Sequence, residues 1–485
     1  MPHAPIETDH LVIGAGASAL AFVDALLDAS DADVVLVDRR ARPGGHWNDA
    51  YPFVRLHQPS GWYGVASRPI VETDPDRSGY RRGATGTDVL AYFDALLHER
   101  LLPSGRVHWL PRHEVRRGTD GADVVVPLDG GPARRVTVRR RRVDATHART
   151  EVPATHPPRY TVAPGVALVA PHRLQRIAAL LSKVTVVGGG KTGMDSVLWL
   201  LEHGVPAAGI RWIVPHDFWL HDRAHLRTGA VHIAAGVRAT MREFDAIAAA
   251  RSTEDLLARL EADGLLLRLD RRVTPTRYRC AVVSRGELGR LRRVTDVVRM
   301  GHVQRIDAAR LVLEHGTLAA HPDTLYVDCS ARALQPPPAL PVFDGDTIHL
   351  LMVAACRPMF SAALIGRVEA GIDDERLKNA LCTPVPSPER PADWLRLLAA
   401  TLANAERWSR EPALHAWLRA SRLDIVATLH GGARPEDAAS AALLRARAHA
   451  ARAATANLAR LLGEQHGPMA QSPTLTTPAR PAETV

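Results

Sequence analysis

His10-Leu11-Val12-Ile13-Gly14-Ala15-Gly16-Ala17-Ser18-Ala19-Leu20, followed further on by Val34-Val35-Leu36-Val37-Asp38-Arg39-Arg40, decides the fold of this chain. Leu11 to Ile13 is an apolar run, Gly14-x-Gly16-x-x-Ala19 follows at once, and Leu20 to Leu27 carries apolar residues at helical spacing. That order predicts strand, tight turn and helix. Gly14 permits the turn, Gly16 lets the backbone approach a pyrophosphate, and Ala19 lets the helix pack close to the strand. The phosphate then meets the open amides around Ala17 and Ser18 and the positive end of the helix dipole. Val34 to Val37 predicts the next strand. Asp38 at its tip is placed to accept hydrogen bonds from a ribose 2′-hydroxyl, with Arg39 beside it. A lone glycine motif marks little more than a turn, but these flanks make it a dinucleotide site.

The pattern returns at Lys183 to Gly204, with Val184 to Val187 as strand, Gly188-Gly189-Gly190-Lys191-Thr192-Gly193 as turn and Met194 to Glu202 as helix. Gly188, Gly190 and Gly193 complete a GxGxxG, and Lys191 and Thr192 belong to the same site. A nucleotide P-loop is excluded, because Thr185 stands where that motif needs its first glycine. The following strand, Arg211 to Val214, carries no acid at its tip and has His216 and Arg223 nearby. An acid there would repel a 2′-phosphate, so its absence favours NADP(H), with NAD(H) as the alternative. Two dinucleotide folds, one with a strand-tip acid and one without, point to FAD plus a nicotinamide. The expected class is α/β, with two Rossmann-like dinucleotide-binding domains and a C-terminal helical extension.

A chain of 485 residues is too long for one core. Its net charge of +9 comes from scattered arginines, without the aromatic interleaving that nucleic-acid binding needs. No apolar run is long enough for a bilayer and no signal peptide is recognisable, so the expected location is cytoplasmic. Cys280, Cys329, Cys356 and Cys382 are far apart in sequence and form no CxxC, so they read as small buried residues, with no metal and no redox dithiol expected.

Between Asp38 and the next helix lies Gly44-Gly45-His46-Trp47-Asn48-Asp49-Ala50-Tyr51-Pro52-Phe53-Val54-Arg55-Leu56-His57-Gln58-Pro59. So much glycine, proline and aromatic character excludes a regular element. GGxW followed by Tyr-Pro-x-x-Arg resembles the flavin-proximal loop of FAD-dependent monooxygenases of the flavin-containing, N-hydroxylating and Baeyer–Villiger group. The resemblance implies that Gly45, His46 and Trp47 lie beside FAD and that the loop runs on toward the isoalloxazine. Arg55, His57 and Gln58 are then the candidate catalytic residues, Arg55 holding anionic charge and His57 passing protons at neutral pH. His57 stands where Baeyer–Villiger enzymes place an aspartate. His147 likewise replaces the glycine of the family's Ala-Thr-Gly, and the FxGxxxH linker is missing between Ala163 and Leu181. In the resembling fold a Gly-Asp contacts the ribityl chain and pyrophosphate, which makes Asp346 a candidate.

The resemblance implies NADPH-driven reduction of FAD, a C4a-(hydro)peroxyflavin and oxygenation of a small molecule by molecular oxygen. An NAD(P)H-linked flavin dehydrogenase or oxidase without oxygen transfer, and a non-catalytic flavin-binding protein, stay open. The expected layout is a first FAD-binding part at 1–178, a nicotinamide domain at 179–300 and a second FAD-binding part at 301–383. The strand Thr324 to Val327 marks the return to the first sheet. A helical region follows at 384–467 and a disordered tail at 468–485. The C-terminal helices are free to cap the active site or to form a homodimer contact; no nucleic acid or membrane partner is expected.

Overall fold

The computed structural model describes residues 5–70, 83–148, 150–176, 183–226, 233–321, 323–332, 339–424 and 438–464; the tail expected at 468–485 lies outside them. The first sheet is built around β1 (Ile6–Ile13), whose apolar residues are buried on both faces, the pattern of a parallel strand covered on both sides. Beside it run β2 (Val34–Asp38), β3 (Val107–Pro111) and β6 (Arg134–Asp144), and beyond β6 the short β20 (Thr347–His349), giving the parallel order β20-β6-β1-β2-β3. β19 (Phe343–Asp344) pairs antiparallel with β20, while β4 (His113–Arg117) and β5 (Asp123–Pro127) form an antiparallel meander against β6.

Helix α1 (Ala17–Ala29) leaves the end of β1, and α2 (Gly86–Leu96) opens on a capping box in which Thr85 and Asp88 satisfy each other's free amides. The second sheet repeats the design. β8 (Leu168–Val169), β9 (Val184–Val187), β10 (Ile210–Ile213), β14 (Asp296–Val298) and β18 (Leu325–Asp328) lie parallel in the order β14-β10-β9-β18-β8. Helices α3 (Lys191–Glu202) and α6 (Arg285–Leu291) bury leucine, valine and tryptophan side chains in its core. Both sheets therefore present the C-terminal ends of parallel strands, where α/β folds bind ligands.

Two expectations change here. The strand expected to return to the first sheet is β18, and it pairs with β9 in the second. β7 (Thr161–Val162), β15 (Val303–Ile306), β16 (Arg310–Leu313) and β17 (Gly316–Ala319) form their own four-stranded sheet, whose core shares Val187, Ile213 and Tyr326 with the second fold. An alternating apolar strand looks the same in sequence whichever sheet accepts it. The second correction concerns cysteine. β11 (Phe218–Asp222), β12 (Leu266–Leu267) and β13 (Arg277–Val283) make a small sheet, and Cys280 of β13 is disulfide-bonded to Cys356. Cys329 and Cys382 are free and buried, as expected.

The C-terminal helices bind the parts together. α4 (Ile233–Ala249), α5 (Thr253–Ala262), α9 (Pro391–Arg410) and α11 (Ala438–Glu464) share a third core through Ile247, Leu256, Trp394 and Leu458. The far end of α9 places Trp408 in the first core beside Leu414 and Leu418 of α10 (Pro412–Ala420). Helix α7 (Pro358–Gly371) lies on α1, and α8 (Glu375–Leu381) follows it. Glu369 of α7 is buried between His10 of β1 at 3.1 Å and Lys378 of α8 at 2.5 Å. Burial alone would push its carboxyl up, but the hydrogen bonds to His10 and Lys378 outweigh this and hold it below the usual range.

A Cβ on Gly366 of α7 would sit 2.6 Å from the Phe22 carbonyl oxygen and 3.4 Å from the Ala25 Cβ on α1. Gly366→Val should therefore lower stability by about 1–3 kcal/mol through overpacking, read as an earlier thermal unfolding transition. An unchanged transition would show that the two helices do not meet this closely.

Candidate functional site

Each glycine turn opens its helix without a side-chain cap. Gly16 is the N-cap of α1 and Gly190 that of α3, and neither helix has a side-chain cap hydrogen bond or an acid in its first turn. The leading amides of both helices thus keep their capacity for an anion. Gly14 takes φ +99°, which only glycine adopts readily, and Ala19 is fully buried against the strand. A Cβ on Gly190 would meet nothing within 4 Å, so the space over the second turn is open. Asp38, 7% exposed, accepts Ala15 N–H at 2.6 Å and Arg40 N–H at 2.8 Å. Each oxygen retains a lone pair for a ribose hydroxyl. These features fit FAD at the first turn and a nicotinamide dinucleotide at the second.

The loop carrying GGxW joins the two turns. Gly44 N–H donates to the Ala15 carbonyl at 2.8 Å, and a Cβ on Gly45 would stand 3.1 Å from the Gly16 Cα. Backbone lies close to backbone there, which explains Gly45, and a Cβ on Gly44 would stand 2.7 Å from the Leu90 side chain. Trp47 then donates to the Tyr63 hydroxyl at 2.6 Å and lies against His46, ring centroids 5.7 Å apart. Further along, the Tyr51 hydroxyl donates to Asp195 of α3 at 2.7 Å, and Phe53 stacks on Trp199 of the same helix at 5.2 Å. Burial and the Asp195 charge push the Tyr51 hydroxyl well above its ordinary range, which keeps it a donor. Asp195 also pairs with Lys191. Sequence reasoning passed over Asp195; its i, i+4 spacing from Lys191 was the available signal.

His57 occupies the junction, within electrostatic reach of Lys191, Arg223 and Glu287. Burial, then the Lys191 and Arg223 charges, lower its pKa to about 3, and its Nδ1 has no hydrogen-bond partner. The expected proton carrier at neutral pH is instead a neutral imidazole. Gln58 reaches the other side, donating to the Cys356 carbonyl at 3.2 Å ahead of α7. Arg55 is exposed and donates to the Gly83 carbonyl at 3.2 Å, turned toward the start of α2. Arg39 is likewise a surface residue, its side chain 75% exposed.

Asp346 is a further correction. It lies in the exposed turn that enters β20, bound to Arg117 at 3.0 Å, whereas the strand leaves toward the cofactor edge at His349. What stands at that edge is a polar group the sequence reading missed. His147 Nε2 lies 2.8 Å from His349 Nδ1 and 3.3 Å from Asp144. The His147 found in place of a glycine thus has its partners at the tips of β6 and β20.

At the second fold, His216 follows the tip of β10, where a 2′-phosphate would lie, and Arg277 of β13 approaches its Nε2 to 3.3 Å. His302 packs edge-on at 5.2 Å. Burial, then Arg277 and His302, lower the His216 pKa. Arg223 is paired with Glu287 at 3.0 Å. Arg277, itself 3.5 Å from Glu389, is the cation beside His216 at that tip, and its distance along the chain hid it. Asp217, next to His216, is closed by two hydrogen bonds from Arg299 at 2.7 and 3.1 Å.

Glutamine at position 57 removes a group that takes up a proton when the chain unfolds in acid. With a folded pKa of about 3 against 6.5, His57 costs stability progressively as pH falls from 6.5 toward 3. His57→Gln should move the acid-unfolding midpoint to lower pH, and a midpoint that stays put or rises would contradict the buried neutral assignment.

Residues 12–58 match the family of NAD(P)-binding Rossmann-like domains. Among solved structures, a flavin-containing monooxygenase from Stenotrophomonas maltophilia is 18% identical, with a TM-score of 0.45, over 78% of this chain and all of that one. Cyclohexanone monooxygenase from Rhodococcus sp. Phi1 is 13% identical, with a TM-score of 0.48, over 96% of this chain and 98% of that one. In sequence, the uncharacterized protein Rv2000 of Mycobacterium tuberculosis and its Mycobacterium bovis counterpart Mb2023 are each 47% identical over 437 residues, covering 88% of this chain and 79% of theirs. The chain therefore belongs to the family of these mycobacterial proteins.

Proposed function

We propose that the chain is an FAD-dependent oxidoreductase, driven by NADPH, that oxygenates a small-molecule substrate. The observation that carries this reading is the loop from Gly44 to Gln58, whose glycines lie on the first turn while Tyr51 and Phe53 dock on α3 of the second. One segment thus holds both dinucleotide turns in register, an arrangement suited to passing hydride between two cofactors. When bound, the nicotinamide supplies hydride and the flavin carries it to an acceptor. The chain supplies position and electrostatics: Asp38 holds a ribose, the amides opening α1 and α3 hold pyrophosphates, and Tyr51 keeps Asp195 and Lys191 at the second turn. Neutral His57 is a hydrogen-bond acceptor at the junction. The GGxW resemblance, with Gln58 running on toward α7, supports the step to oxygen.

With isotopically heavy dioxygen and a panel of amines, thioethers and ketones, NADPH oxidation should leave heavy oxygen in at least one product. Recovery of every NADPH equivalent as hydrogen peroxide across the panel would overturn the oxygenating step. Asp38→Ala should weaken FAD binding roughly tenfold or more, since charge-assisted hydrogen bonds contribute about 1.5–3 kcal/mol. Arg277→Ala should raise the KM for NADPH roughly tenfold or more by the same arithmetic and leave that for NADH unchanged. An equal effect on both nicotinamides would remove Arg277 from a 2′-phosphate site.

A further inference from the structure

The Cys280–Cys356 pair joins parts of the chain 76 residues apart, β13 beside the nicotinamide fold and the segment leading into α7. Both residues are half-buried, so a small reagent can reach them. Both also hold left-handed backbone, at φ +53° and +52°. Among the described residues only Arg112 and Asp323 are other non-glycines with positive φ. Side chains avoid that region, and such outliers gather at sites where the surrounding fold imposes a geometry for use.

The position matters as much as the conformation. Cys356 follows β20 at the edge of the first sheet where Gly14 turns, and it lies two residues ahead of α7. Its carbonyl receives Gln58, from the loop assigned to the flavin. Arg357, half-buried and 3.5 Å from Asp424, adjoins it at the N-cap of α7. The positive end of a fourteen-residue helix favours a thiolate at this position. Cys329 and Cys382, sealed in the cores, have none of these features.

We propose that the Cys280–Cys356 bond is a redox centre that accepts two electrons originating in NADPH and opens to a dithiol. This rests on the two-cofactor reading above and takes it further. The balance is NADPH + H⁺ + disulfide → NADP⁺ + two thiols: the S–S bond breaks, hydride supplies the electron pair, and each sulfur ends with one proton. A soluble disulfide of the type RSSR re-oxidises the pair by thiol exchange. The chain then holds four electrons when fully reduced, two on the flavin and two on sulfur.

The test titrates the flavin-loaded full chain with NADPH without oxygen, then alkylates it and maps the labelled cysteines by mass spectrometry. The expected result is labelling of Cys280 and Cys356 only after NADPH, with about two NADPH consumed per flavin. Labelling before any reductant, or flavin that bleaches after a single equivalent while both cysteines stay unlabelled, overturns the proposal. Light-driven reduction of the bound flavin with EDTA bypasses the nicotinamide. Thiols that appear under light but not with NADPH would support the redox pair and count against the nicotinamide assignment alone. No thiols under light, with the flavin bleached, overturns the pair. Cys280→Ser and, separately, Cys356→Ser should halve the NADPH consumed and leave the remaining cysteine labelled from the start; an unchanged uptake in either overturns it.

Discussion

Contact between Gly16 and Gly45, with backbone lying almost on backbone, is the constraint on which the rest of the site depends. A Cβ on Gly45 would stand only 3.1 Å from the Gly16 Cα, and this close approach limits where the loop after Asp38 can go. From that point the loop has a rigid start and docks its aromatic residues on α3. The relation between the two glycine turns thus follows from one contact, with Tyr51, Asp195 and Lys191 closing the far end. Hydride transfer requires reacting atoms to be held within a few tenths of an ångström, and such a strap is a direct way to hold two folds together.

The electrostatics of the junction follow from the same packing. Lys191, Arg223, Glu287 and Asp195 converge there, and the half-buried imidazole of His57 meets more positive than negative charge. The chain keeps that histidine neutral, with Lys191 and Arg223 held by Asp195 and Glu287. At the tip of β10, Arg277 adds positive potential beside His216, and Arg299 closes Asp217. Both sites are thus complementary to anionic dinucleotides.

How much of this was legible in the sequence follows the range of the physics. The glycine turns and the strand-tip Asp38 rest on interactions between near neighbours, and the structure has them where the residues placed them. β18 was assigned to the wrong sheet, because an apolar strand carries no label for its partner. Asp346 was misplaced for a related reason: a Gly-Asp pair shows a turn but not which edge of the sheet the turn occupies. Arg277, the His147–His349 contact and the Cys280–Cys356 bond join residues far apart along the chain. The cysteines carried a further obstacle, since without CxxC spacing nothing in the sequence separates a buried thiol from a bonded one.

The central claim is that two dinucleotide sites, held in register by one loop, pass hydride from the second to the first. Anaerobic rapid mixing of the flavin-loaded chain with NADPH, followed by the loss of oxidised-flavin absorbance, tests it most directly. The account predicts full bleaching at a rate that saturates with NADPH and falls when Tyr51→Phe or Phe53→Ala loosens the strap. A flavin that stays oxidised while NADPH is shown by equilibrium dialysis to be bound would contradict it.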